Sequence, residues 1–89
     1  MAVQIVKSGS ERRLLKSSAK IRNVDIKIGK KGVTPNVIQE IQFILNRDKM
    51  VKVSFKEDRE KRIKQVDSIL ETIDSTLIES VGKTATFSL

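Results

Sequence analysis

The chain contains neither cysteine nor histidine. Without cysteine there is no disulfide framework and no thiolate metal site, and without histidine the commonest metal ligand is gone, so structural zinc is excluded and no cofactor is expected. Serines that have no histidine beside them lack the usual activating base, which makes a non-enzyme the expectation, with no catalytic residue. Tryptophan and tyrosine are also missing, and only three phenylalanines remain. Readers of single-stranded nucleic acid stack bases on several exposed rings, so recognition here is expected to rest on backbone charge and shape. Pro35 is the one proline, glycine occurs four times, and no low-complexity tract appears, which argues against disorder. No apolar run approaches the roughly 18 residues of a membrane span, and the first six residues are too short and polar for a secretory leader. A cytoplasmic protein with no membrane partner and no small-molecule substrate is the resulting expectation.

What is present is a short, basic, globular composition. At 89 residues with 38% apolar content the chain fits one domain, read as residues 10–89 behind an N-terminal tail of residues 1–9. Its net charge of +7 is unevenly placed. Residues 1–35 carry nine basic side chains (Lys7, Arg12, Arg13, Lys16, Lys20, Arg22, Lys27, Lys30 and Lys31) against Glu11 and Asp25, whereas residues 36–89 carry nine of each sign. The whole excess therefore lies in the first two-fifths of the chain, as a localised footprint for a polyanion.

Hydrophobic period and capping signals divide the chain into seven elements. Ser10 offers a cap and Glu11 a first-turn anion for a helix over about residues 11–21, which gathers Leu14, Leu15, Ser18 and Ile21 on one side and Arg12, Arg13, Lys16 and Lys20 on the other. Val24, Ile26 and Ile28 alternate with Asp25 and Lys27 as a strand does. Thr34 followed by Pro35 is a strong start for a second helix reaching about Asn46, with Val37, Ile38, Ile41, Ile44 and Leu45 as its apolar stripe and Phe43 outside it. Val51, Val53 and Phe55 alternate as a second strand. Asp58 can cap a third helix through about Asp74, whose face is Ile63, Val66, Ile69, Leu70 and Ile73. Leu77–Val81 and Thr84–Ser88 flank Gly82-Lys83 as a hairpin. The order αβαβαββ predicts an α/β two-layer sandwich with a mixed four-stranded sheet, its strands parallel where helices cross over and antiparallel in the hairpin. Val24, Ile26, Ile28, Ile41, Leu45, Val51, Val53, Ile63, Val66, Leu70 and Phe87 are the predicted core.

The best candidate site is Gly29-Lys30-Lys31-Gly32 with Thr34. Its glycines permit a tight turn and close approach of a ligand, its lysines add charge, and the following helix presents the positive end of its dipole. Arg12, Arg13, Lys16 and Lys20 could extend this track for phosphates. Other features are decoys. Gly82-Lys83-Thr84 resembles the end of a nucleotide-binding P-loop, but that motif needs a glycine where Leu77 stands and a helix where a strand follows. Asp58, Glu60, Asp67 and Glu71 lie on a helix dense in lysine and arginine, where exposed ion pairs explain them.

Taken in order, Glu11-Arg12-Arg13-Leu14-Leu15, Ile28-Gly29-Lys30-Lys31-Gly32-Val33-Thr34, Val37-Ile38-Gln39-Glu40-Ile41, Val51-Lys52-Val53, Asp58-Arg59-Glu60 and Val81-Gly82-Lys83-Thr84 resemble the CRM domain. This is the chloroplast RNA splicing and ribosome maturation family, also called YhbY-like. The resemblance covers residues 10–89. It implies a fold similar to the C-terminal domain of translation initiation factor three and binding of structured RNA through Gly29, Lys30, Lys31 and Gly32. It also implies ribosomal RNA as partner, in precursors of the large ribosomal subunit. A second resemblance, to Alba-like DNA-binding chromatin proteins, shares size, basicity and the Ile28-Gly29-Lys30-Lys31 strand end, but such chains carry a proline after that motif and a longer basic hairpin. A third reading is a protein-docking module whose open sheet face presents Lys27, Lys52 and Lys56. No motif supports it.

Overall fold

A computed structural model describes the backbone from residue 9 to residue 89 and side chains from residue 13 onward. Its elements are α1 (Gly9–Ile21), β1 (Ile26–Ile28), α2 (Pro35–Asp48), β2 (Met50–Phe55), α3 (Arg59–Thr72), β3 (Thr76–Val81) and β4 (Thr84–Ser88), in the order the periodicity predicts. The tail assigned to residues 1–9 falls outside the described residues except for Gly9, which is already helical with Ser10. Ser10 therefore belongs to α1 instead of capping it, since the helix penalty of serine is well under 1 kcal/mol and yields to its neighbours.

The other two expected caps form. Thr34 is extended and its hydroxyl accepts from the Val37 amide at 3.2 Å, ahead of Pro35, and Asp58 accepts from the Lys61 amide at 3.1 Å. At its other end α2 stops on Lys49 in the left-handed conformation (φ 66°), whose amide bonds back to Leu45. That reversal leads directly into β2.

The sheet runs β1-β2-β4-β3. β1 lies parallel to β2 with Ile26 opposite Val53 and Ile28 opposite Phe55, and β4 lies antiparallel to both β2 and β3. Strand alternation sends Ile26, Ile28, Val51, Val53, Phe55, Ala85 and Phe87 to one face, where they pack with Ile41 and Leu45 of α2, Val66 and Ile69 of α3, and Ile73 just past it. Two expected core residues lie outside this cluster. Val24 is 37% exposed because β1 begins only at Ile26, the preceding residue Asp25 being held by main-chain and side-chain bonds to Lys52. Ile63 is 50% exposed because the buried stripe of α3 is Val66 and Ile69, with Leu70 at its margin, and Ile63 lies a turn before it.

α1 adds a layer on the far face of the sheet. Thr86, opposite Lys52 on β2, is buried there, and the Lys52 ammonium donates to the Ala19 carbonyl at 3.0 Å and the Arg22 carbonyl at 3.1 Å. The expected packing side of α1 is corrected by this arrangement. Leu14 is 70% exposed and Ile21 85% exposed, while Ala19 is fully buried. A small residue at the contact lets the helix backbone approach the sheet closely enough for a lysine to reach its last carbonyls, which a leucine-lined contact would hold away. Lys52 is therefore part of a packed interface, and the sheet face that a docking module would leave open is covered at that point.

Candidate nucleic-acid interface

The Gly29–Gly32 segment folds as a four-residue turn, its Gly32 amide donating to the Gly29 carbonyl at 3.1 Å. Lys30 and Lys31 occupy its two corners and are both exposed. Gly32 has a φ of 71°, and a β-carbon there would stand 3.3 Å from Nε2 of Gln65 on α3. Gln65 thus props the turn from beneath, with its own Oε1 buried and lacking a hydrogen-bond partner among the described residues. Gly29 is different. It needs no left-handed backbone, and among the described residues beyond its chain neighbours nothing lies within 4 Å of where its β-carbon would be. Thr34, the last predicted residue of this group, is committed to capping α2.

Sheet topology enlarges the site beyond the sequence reading. With β1 parallel to β2 and β4 antiparallel to β2, the turn after Ile28, the segment after Phe55 and the Gly82-Lys83 turn all lie at one end of the sheet. The Phe55 amide donates to the Lys83 carbonyl at 2.8 Å, and the Lys83 ammonium lies 3.5 Å from the Lys56 carbonyl. Exposed Lys56 and Lys83 thereby join Lys30 and Lys31 around the starts of α2 and α3. In the sequence Lys83 stands out as part of a hairpin turn, a failed P-loop and a resemblance motif, and Lys56 as a sheet-face charge, but none of these sets either beside Lys30 and Lys31; the signal for both is strand pairing, which brings residues 25 to 53 positions apart to one end. Acidic groups are interspersed, with Glu57 paired to Lys61 at 3.7 Å.

Arg13, Lys16 and Lys20 are exposed on α1, on the other side of the sheet from α2. Among the described residues no hydrogen bond or ion pair joins them to the turn, and the Arg12 side chain lies outside the described residues. Lys27 is exposed on β1. At the opposite end of the sheet Asp48 accepts from both Arg47 and Arg22, and Arg22 also holds Asp25 at 2.7 Å. The Arg47 hydrogen bond, then that of Arg22, lowers the Asp48 carboxyl to about 2. This cluster fixes the α1–β1 connection to the end of α2.

The CRS1/YhbY (CRM) domain profile matches residues 8–87, which takes in both glycine turns and all seven elements but for the last residue of β4. The chain belongs to that family. The same fold is seen in the solution structure of a hypothetical protein from Staphylococcus aureus, described as a candidate RNA-binding protein. It matches with a TM-score of 0.77 at 23% sequence identity, covering 93% of this chain and 88% of that one. No curated protein matches this chain.

Proposed function

We propose that this CRM domain binds structured RNA at the end of its sheet, where the Gly29–Gly32 turn grips phosphate oxygens, and that it serves assembly of the large ribosomal subunit. The observation that carries the reading is the open space over Gly29. A glycine that neither the backbone angle nor its neighbours require leaves room for something outside the fold, and the groups around that room are lysines and a capped helix start. Family membership and the +7 charge support a nucleic acid as the occupant. Arg13, Lys16 and Lys20, with Arg12, would meet RNA that wraps from the turn toward α1.

The test is a salt titration of RNA affinity. Replacing Lys30 and Lys31 with alanine should remove about two phosphate contacts and lower the magnitude of the log-affinity against log-salt slope by roughly 1.4 to 1.8. Lys49→Glu, exposed at the opposite end of the sheet, changes the net charge by the same two units as the control. An equal loss of slope in the control would mean diffuse attraction and sink the assignment. Structured RNA should also bind better than duplex DNA at matched salt, because A-form grooves differ in shape where charge does not; the opposite order would favour the chromatin reading. Cosedimentation of the protein with large-subunit precursors in a cell lysate would test the ribosomal part.

A further inference from the structure

Phe43 is the exposed aromatic of the described residues, with 62% of its surface open, and it adds nothing to the buried core. It stands on α2 in line with Asn36, Glu40 and Arg47, positions that share one helix face at successive turns. These residues, with Gln39 and the half-buried Ile44, line a shallow, open surface groove along α2. The Arg47 guanidinium lies 5.5 Å from the centre of the Phe43 ring and is oriented by its pair with Asp48 at 3.0 Å. The groove starts in the first turn of α2, immediately after the Gly29–Gly32 turn, and Phe43 is eight residues from Pro35, about 12 Å along the axis.

We infer that this groove takes one unpaired nucleobase of the bound RNA, stacked on the Phe43 ring beside the Arg47 guanidinium. The inference rests on the RNA-binding reading above and adds to it a site that a phosphate grip does not contain. Three features select a base over other occupants. A single ring surrounded by amides, a carboxylate and a guanidinium suits a flat heterocycle with polar edges, whereas an apolar peptide side needs a continuous apolar surface. The Glu40 carboxylate repels phosphate, so the sugar-phosphate backbone runs beside the groove and the base enters it. The basic turn a short way along the same helix holds the neighbouring phosphates, so one strand can reach both.

Two RNA hairpins test this, one with a single bulged adenosine and one with the same stem and no bulge. Phe43→Ala should weaken binding of the bulged hairpin by about 5- to 150-fold, the range for removal of one base-stacking ring, with no change in salt slope and no change for the plain hairpin. Phe43→Trp places the only indole in the chain in the groove, and its emission should be quenched by the bulged hairpin alone. An unchanged melting temperature checks that the exposed position leaves the fold intact. If Phe43→Ala binds both hairpins as the wild type does, or if the indole responds equally to both, the inference is overturned while the phosphate grip stands. If the alanine pair at Lys30 and Lys31 has no effect and Phe43→Ala does, the turn assignment fails and the base site stands. A wild-type protein that binds neither hairpin overturns both.

Discussion

Gly29 and Gly32 flank the same two lysines for different physical reasons. Only Gly32 is demanded by the backbone, at a φ of 71° and with the Gln65 amide nitrogen 3.3 Å from where a β-carbon would stand. Gly32→Ala should destabilise the protein by about 1–2 kcal/mol, the penalty of the left-handed region for a residue with a β-carbon, with some relief because the Gln65 amide end can swing aside. Gly29→Ala should melt at or slightly above the wild-type temperature, since an allowed glycine-to-alanine change restricts the unfolded chain, and yet bind RNA less well. Urea unfolding and RNA titration of the two variants separate the roles. Equal destabilisation by both would show that Gly29 serves the fold after all.

At the scale of elements, period and caps were legible from residues alone: Thr34-Pro35, Asp58 and the alternation about Val51 and Val53 each form as expected. Layer assignment was not. An apolar stripe such as Leu14, Leu15 and Ile21 shows that a helix has a greasy side, but of these only Leu15 is even half-buried, and α1 meets the sheet most closely at Ala19 and through its own carbonyls, which carry no hydropathy signal. Lys52 reads as a solvated strand residue for the same reason, since nothing local marks a lysine whose partners are main-chain oxygens about 30 positions away. Lys52→Ala should destabilise the fold by about 1–3 kcal/mol through loss of charge-assisted bonds at a helix C-terminus. Hydrogen exchange should quicken more in α1 than in α2. Uniform quickening would mean that Lys52 supports the whole core and not one layer.

Across the whole molecule, the candidate site was half legible. The turn residues are contiguous and announce themselves, while Lys56 and Lys83 reach it only through the β1-β2-β4-β3 order, which involves pairings no local window contains. The far end of the sheet bears on acid stability through Asp48. Asp48 titrates at about 2 in the fold against an ordinary 3.8; a lowered folded pKa adds stability that is fully present above the unfolded value and is lost as pH falls through the folded one. Melting temperature should thus decline from about pH 4 toward about pH 2, and Asp48→Asn should flatten that decline while lowering stability at neutral pH. A variant with the same acid limb as the wild type would remove Asp48 as its source. The attachment of α1 has one more consequence, for how this fold can diverge. A helix held on its inner side by peptide carbonyls, Ala19 and half-buried Leu15 asks little of exposed Arg13, Lys16 and Lys20, so those charges can drift from one descendant to the next without disturbing the frame.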